Sequence, residues 1–248
     1  MKWMRLVRSE LRKLTSTKMP WGFLAVLVVI SATTAVAVVF GTDMDGSKAF
    51  ISTAADQQSL VAFAANAMII GGLFGAMAVA REYGHATVVP TFLATPKRSI
   101  AVSAQLTATF VAGAVLGAVG GGLTVGAVAA ALPYTDFAFM IPMGDVVRVL
   151  AASAFTGAAG AVLGAGIGAL VRNTGGAVTG AVLVLLVAPP LVTQLASGAA
   201  SWIPSTLADV LSGVADQVAV LSAVGAIAAW AVVPALVGLV TVQRRDVV

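Results

Sequence analysis

The residues best suited to chemistry in this sequence lie in one short stretch, residues 81–98. This stretch contains the chain's one histidine, His85, together with the acid Glu82 and the phenol of Tyr83. The carboxylate of Glu82 is placed to pair either with Arg81 or with a basic residue near the N-terminus. An exposed ion pair of this kind contributes little to folding stability, so its main effect would be to fix the position of the segment. The alternative interpretation of the stretch is a plain connecting loop.

Composition and sequence motifs exclude several kinds of site. The chain has no cysteine and one histidine, which excludes thiol catalysis, cysteine-ligated metals and a multi-histidine metal site. It lacks the Gly-x-x-x-x-Gly-Lys-Ser/Thr sequence that cradles nucleotide phosphates. The glycines at 120–122 have no neighbouring lysine, so we interpret them as a packing or flexing site. We therefore expect no catalytic residue, no metal and no cofactor in this chain.

The overall composition is typical of a membrane protein. Of 248 residues, 59% are hydrophobic and 10% are charged, whereas soluble domains carry about 25% charged residues. The mean hydropathy is +1.01. These values exclude an ordinary soluble enzyme, a disordered chain and a coiled coil. We predict an all-α polytopic membrane protein with a single transmembrane domain over residues 1–248.

Six apolar runs approach or exceed the roughly 20 residues that cross a bilayer core. In chain order they cover residues 21–40, 60–80, a stretch within 100–132, 149–171, 175–195 and 218–242. None has an ionisable residue near its middle. Proton- and sodium-coupled transporters commonly keep such residues within the membrane, so their absence argues against that class.

The basic residues predict the orientation of these spans. Of the 14 lysines and arginines, all but Lys48 and Arg148, which makes twelve, fall in segments that share one side of the membrane. Those segments are residues 1–20, 81–99, 172–174 and 243–248. The positive-inside rule then places both termini in the cytoplasm. On the outer side, Asp145 and Arg148 lie one helical turn apart at the mouth of the fourth span. One interpretation is that they pair there for a specific role, and the other, which we favour, is an ordinary solvated pair.

The first twenty residues predict an amphipathic helix that precedes the first span. Its apolar stripe consists of Trp3, Val7, Leu11 and Leu14. Its basic residues include Arg5, Arg8, Arg12 and Lys13. A helix of this kind lies in the membrane interface, attracted by anionic lipid. It serves either as an anchor and topology signal alone or as an elbow helix that also contacts a cytoplasmic partner.

Residues 196–217, between the fifth and sixth spans, are too interrupted to cross the membrane. Trp202 suits an interfacial position, and Pro204 is a typical first residue of a helix. An apolar stripe follows, made of Ile203, Leu207, Val210, Leu211 and Val214. With Asp209 and Asp216 left to face water, the pattern predicts a short, half-embedded helix at the outer surface.

Small residues at helical spacing predict where the spans pack closely. Several Gly-x-x-x-Gly spacings occur in or beside the spans, and this spacing lets backbones approach one another. The repeat Gly160, Gly164 and Gly168 in the fourth span is the best candidate for a tight contact. We expect that contact to lie within the subunit.

The stretch after the second span resembles the first cytoplasmic loop of ABC-2-type transporter permeases. The resemblance rests on Glu82-Tyr83-x-His85-x-Thr87, Pro90-Thr91-Phe92-Leu93 and Pro96-Lys97-Arg98. The start Ser9-Glu10-Leu11-Arg12-Lys13-Leu14, the six spans and the inside termini extend it over the whole chain. Ala86 departs from the family pattern, which usually has glycine before Thr87.

This resemblance implies a division of labour between subunits. Residues Glu82, Tyr83, Gly84, His85, Ala86 and Thr87 would form a coupling segment that docks on a separate ATPase subunit. Residues 1–20 would be the elbow helix, 81–99 the coupling loop and 196–217 a re-entrant segment. The implied partners are two copies of the ATPase, which bind ATP and Mg, a second identical or different permease subunit, and membrane lipid, but no nucleic acid. The implied location is a bacterial inner membrane.

In the family, the second and fifth spans face each other across a dimer axis, which points to a substrate path. The candidates are Asn66, Met68, Phe74, Thr179, Thr193 and Gln194. Ordinary helix packing is the alternative for each of them. Pro189 and Pro190 are expected to break or kink the outer end of the fifth span. A path lined mainly by Ala, Val, Leu and Met suits an amphipathic, lipid-like or drug-like substrate.

The leading hypothesis is therefore the permease subunit of an ATP-driven exporter. One rival is a secondary transporter or channel that needs no ATPase, and it predicts flux in vesicles that contain this chain alone. The other rival is a non-transporting membrane partner, such as an assembly or sensory subunit. It predicts no substrate-dependent stimulation of ATP hydrolysis in a reconstituted complex.

Overall fold

The computed structural model describes residues 2–84 and 98–244, and these residues form helices joined by short connections. The α-helices are α1 (Lys2–Thr15), α2 (Met19–Phe40), α3 (Ala54–Ala62), α4 (Met68–Gly84), α5 (Arg98–Ala131), α6 (Met143–Val171), α7 (Thr174–Val182), α8 (Ala188–Leu195), α9 (Pro204–Ser212) and α10 (Val220–Arg244). No strand occurs in the described ranges.

Six helical segments of the described chain are long and apolar enough to cross a membrane. They are Met19–Phe40, Ala54–Gly84, Ser99–Tyr134, Met143–Val171, Thr174–Leu195 and Val220–Gln243. The predicted all-α, multi-pass architecture is confirmed at this level. Helix α5 has 34 residues, which gives it a length of about 51 Å. Because a bilayer core is about 30 Å thick, α5 must extend beyond it or tilt strongly.

The second span is interrupted and begins at Ala54 rather than near residue 60. Thr53 and Asp56 form a capping box at the start of α3, in which each side chain bonds the other's backbone. A 3₁₀ segment, Phe63–Asn66, then separates α3 from α4. The hydroxyl of Thr156 on α6 donates to the carbonyl of Ala65 at 2.6 Å. This bond satisfies a backbone group within the irregular segment, as an apolar surrounding requires.

The fifth span continues through its prolines and does not break. A π-helical turn, Leu183–Val187, joins α7 to α8, and Pro189 and Pro190 lie in the first turn of α8. Prolines have no N–H to donate to the preceding turn, so the hydrogen-bonding register must shift there. The predicted perturbation is therefore present, but as a change of helix type ahead of the prolines.

Helix α6 is the centre of the bundle and packs against α4, α5 and α10. Its glycines account for the closeness of these contacts. A Cβ on Gly164 would overlap the carbonyl oxygen of Gly72 on α4. A Cβ on Gly157 would lie 2.5 Å from the Gly113 carbonyl oxygen on α5. The prediction that the glycine repeat of the fourth span packs within the subunit is confirmed.

The glycines at 120–122 serve packing at two of the three positions. A Cβ on Gly120 would meet the Leu27 side chain of α2 at 2.9 Å, and one on Gly121 would meet Ser153 of α6 at 3.0 Å. Gly122 and Gly126 have nothing within 4 Å of an added Cβ. The Gly-x-x-x-Gly spacing therefore marks a helix contact in α6, whereas Gly122 and Gly126 of α5, which have the same spacing, face open space.

The two ends of the bundle differ in charge. We call the end at which α2 and α5 begin, and at which α4 and α6 end, the basic end. Trp3 and Ser103 are hydrogen bonded there, and Arg81 of α4 lies near Met19 of α2. We call the opposite end, which carries Asp43, Asp145 and α9, the acidic end.

Helix α9 is held against the acidic end by side chains that bind its last carbonyls. Arg148 of α6 donates from Nε to the Leu211 carbonyl and from Nη2 to the Val210 carbonyl, both at 2.9 Å. Gln58 of α3 donates to the Ser212 carbonyl at 3.0 Å. A cation at a helix C-terminus also opposes the negative end of the helix dipole. Arg148 is exposed, as expected, but it is bonded to α9 and forms no ion pair with Asp145 among the described residues. The last carbonyls of a helix have no partners within it, and these donors satisfy them.

Replacing Arg148 by methionine is expected to loosen α9. The change removes two charge-assisted hydrogen bonds from partly buried carbonyls, a loss of about 1.5–3 kcal/mol. The chain has no cysteine, so a single cysteine introduced at the buried position Ala208 reports on α9 without background. Maleimide should label Ala208→Cys faster when Arg148→Met is also present. Asp145→Asn is the control, and equal labelling rates in all three proteins would contradict the capping role.

Candidate coupling site at the basic end

The N-terminal helix α1 docks on the basic end of the bundle. The indole Nε1 of Trp3 donates to Ser103 Oγ of α5 at 3.2 Å. At the other end of α1, Leu14 packs beside Leu27 of α2 and Phe74 of α4. The predicted helix is therefore present. Its basic residues Arg5, Arg8 and Arg12 are exposed.

A cluster of three charges joins α1 to the end of α4. The Nζ atom of Lys13 lies 2.6 Å from Oε1 of Glu10, one turn earlier in α1, and 3.5 Å from Oε1 of Glu82 in α4. The Glu10 and Glu82 side chains are only 8% and 15% exposed, whereas Lys13 is 43% exposed. Of the two partners considered for Glu82, the structure shows the basic residue of the N-terminal helix.

The electrostatic balance of this cluster favours a charged lysine. Burial alone lowers the pKa of Lys13, but the hydrogen bond to Glu10 and the negative charges of Glu82 and Glu10 raise it by more. The net pKa of Lys13 therefore lies above its ordinary value. One ammonium group thus serves two largely buried carboxylates, and the positive charge of Arg81 also acts on Glu82.

Tyr83 connects the same segment to α6. The guanidinium carbon of Arg172 lies 5.3 Å from the centroid of the Tyr83 ring, which is a cation–π distance. Arg172 ends α6 in the left-handed conformation, with a φ of 55°. The last turn of α4 is therefore held on two sides, by Lys13 of α1 and by Arg172 of α6.

The predicted coupling residues are only partly within the described structure. Glu82 and Tyr83 make the contacts given above, and Gly84 is exposed at the end of α4. His85, Ala86 and Thr87 lie outside the described residues. Glu10, which is buried and central to the cluster, was not predicted from the sequence. An acid one turn before Lys13 on an otherwise basic helix was the signal available for it.

The candidate path residues fall into different surroundings. Met68 and Phe74 are 2% and 1% exposed and pack inside the subunit. The Phe74 ring stands edge-on to Phe23 of α2, with centroids 5.4 Å apart. Asn66 is half-buried, and its amide lowers the pKa of the Asp209 carboxyl of α9. On the fifth span, Thr193 is half-buried, and the exposed candidates are Thr179 and Gln194.

The arrangement at the basic end joins α1 to α4 and α4 to α6. In the described ranges, no group of three or more His, Cys, Asp or Glu side chains is placed to hold a metal ion. The three charged residues Glu10, Lys13 and Glu82, which we call the charged joint, connect α1 to α4. The contact between Tyr83 and Arg172 connects α4 to α6. A comparison of the sequence with models of known protein families gives no match, and a comparison with curated proteins gives no significant match.

Proposed function

We propose that this chain is the membrane-spanning permease subunit of an ATP-driven transporter of the ABC-2 type. The observation that carries the proposal is the charged joint of Glu10, Lys13 and Glu82, at the start of the segment that resembles the family's coupling loop. A loop that receives force from another subunit needs a firm attachment to the helices that it moves. Glu82 and Tyr83 supply that attachment on two sides.

The packing of the bundle supports transmission of movement from this joint. Helices α4 and α6 meet backbone to backbone through Gly72 and Gly164, so a displacement of α4 carries α6 with it. In the proposed mechanism, two ATPase subunits bind ATP and Mg and close, and the coupling loop at 81–99 follows them. The spans of two permease subunits then alternate between inward- and outward-open packing.

The proposed location is a bacterial inner membrane, with the basic end and both termini in the cytoplasm. The distribution of basic residues supports this orientation. The exposed arginines of α1 suit an interfacial elbow helix beside anionic lipid. Residues 196–217, with α9, would form the re-entrant segment at the outer face. The proposed activity is export of an amphipathic, lipid-like or drug-like substrate through a homo- or heterodimer of permeases.

The proposal is tested by co-purification of this chain with a co-expressed ABC ATPase from the same genome. Glu82→Lys should abolish retention of the ATPase and reduce substrate-stimulated ATP hydrolysis at least tenfold, because it inverts the charge that Lys13 binds. Asp216→Lys makes the same charge change at the exposed acidic end and should behave as the unmodified protein. Unchanged retention and transport in Glu82→Lys would contradict the coupling role. Ion-driven flux in vesicles containing this chain alone would favour a secondary transporter or channel.

A further inference from the structure

A cavity of about 340 Å³ lies towards the acidic end, among α2, the start of α4, α5 and the first turn of α9. Its wall is mostly apolar, with Leu27, Phe63 and Ile70 among the lining side chains. The polar side chains that reach it are few, and Ser31, Asn66 and Thr124 are three of them. Binding sites for small molecules have this character, with volumes of about 300–1,000 Å³.

The hydroxyl groups in the wall are available mainly as acceptors. Thr124 Oγ1 donates to the Gly120 carbonyl at 3.0 Å, and Ser31 Oγ lies 3.4 Å from Thr124 Oγ1. Since the Thr124 proton is already used, Ser31 is the donor between the two hydroxyls. Each oxygen retains lone pairs for a ligand. This part of the wall therefore suits a group that donates hydrogen bonds.

Asn66 links the cavity wall to a negative charge. The Asn66 side chain lowers the pKa of the Asp209 carboxyl, the effect expected of an amide N–H group directed towards a carboxylate. The amide oxygen of Asn66 is left as an acceptor, and polarisation by the carboxylate strengthens it. Ser205 of α9, which also lines the cavity, lies one helical turn before Asp209 and therefore on the same side of α9.

The charge of Asp209 has no cation within ion-pairing distance in the described part of the chain. Arg148, the basic residue that binds α9, is bonded instead to the carbonyls of Val210 and Leu211. Burial raises the pKa of Asp209, and the nearby Asn66 amide opposes that rise. A positive charge close to Asn66 would therefore stabilise the partly buried, ionised carboxylate of Asp209.

We propose that this cavity binds a lipophilic amine. The apolar body of the amine fills the cavity, and its ammonium group donates to the amide oxygen of Asn66 under the influence of Asp209. Acceptor groups in the wall select a donor, the carboxylate selects a cation, and the apolar lining selects a hydrophobic body. A fatty acid is disfavoured by the same charge, and an uncharged alcohol gains no attraction from it.

The binding site does not depend on the proposed transport function, since it is complete within one chain. It is therefore tested without any ATPase, on the purified protein in nanodiscs of phosphatidylcholine, with tritiated dodecylamine as the probe. Empty nanodiscs measure partition of the amine into lipid. The expected result is saturable binding beyond that partition. Dodecanol and dodecanoic acid, which share the alkyl chain, should compete at least tenfold more weakly than unlabelled dodecylamine.

Three substitutions test whether the amine binds in this cavity. Asp209→Asn preserves shape and should weaken binding about tenfold, whereas Asp216→Asn removes an exposed acid from the same end and should not. Ala64→Phe fills the cavity and should abolish binding, with the thermal unfolding midpoint showing that the variant remains folded. Equal binding by Asp209→Asn, or equal competition by dodecanol, would overturn the proposal in favour of a neutral lipid site. Absence of saturable binding would overturn it altogether.

Discussion

Replacing Gly164 by alanine is expected to destabilise the protein by about 3 kcal/mol or more, the upper part of the range for overpacked cores. The added Cβ would overlap the carbonyl oxygen of Gly72 and lie 2.8 Å from the backbone nitrogen of Ala76. Backbone atoms cannot rotate away as side chains do, so α4 and α6 must separate. The loss is measured as a shift in the midpoint of unfolding by sodium dodecyl sulfate, followed by circular dichroism.

Gly126→Ala provides a matched control for this substitution. It makes the same chemical change in a membrane-spanning helix, but nothing lies within 4 Å of the new Cβ. Its stability should be unchanged or slightly raised, since alanine favours a helix over glycine by up to about 1 kcal/mol. A similar loss in both variants would show that glycine matters for flexibility and not for contact between α4 and α6.

Replacing Lys13 by glutamate is expected to detach α1 from the end of α4. The substitution removes the ammonium group that lies between Glu10 and Glu82 and places a third carboxylate beside them. Breaking a fully buried pair costs about 3–5 kcal/mol, and the partial exposure of Lys13 reduces this to about 2 kcal/mol. The thermal unfolding midpoint should fall, and ATP-driven transport, if the proposed function holds, should fall with it.

Two further variants separate the cluster from the overall charge of α1. Arg12→Glu makes the same charge change one residue earlier, at an exposed position, and should leave the unfolding midpoint unchanged. The exchange Lys13→Glu with Glu82→Lys restores an opposite-charge pair and should recover part of the lost stability. If Arg12→Glu were as harmful as Lys13→Glu, the net charge of the helix would be responsible.

The positions of the spans were largely predictable because an uncharged apolar run needs no partner to be recognised. Irregular segments within these apolar runs were not predictable, as the 3₁₀ segment Phe63–Asn66 shows. Nothing local distinguishes that 3₁₀ segment, since its support comes from Thr156 on another helix. Similarly, the spacing of Gly164 predicted a close contact, but only the packed bundle shows that the partner is Gly72.

The candidate site was predictable to the same limited extent. The acid Glu82 and its pairing with a basic residue followed from residue types, because a carboxylate near a membrane needs a counter-charge. The choice of Lys13 depends on where α1 docks, and that is set by contacts such as Trp3 with Ser103, far apart in sequence. The capping role of Arg148 was not predictable for the same reason, since the carbonyls that it binds belong to a distant helix.

The central position of α6 has a consequence for biogenesis. The ribosome releases α4 and α5 before α6, yet the glycine faces of both earlier helices find their closest contacts on α6. A nascent chain that ends before Met143 thus holds α4 and α5 without their common partner. Assembly becomes committed when the fourth span enters the membrane, and the interval before that is when insertion factors and quality-control proteases have most access to the glycine faces.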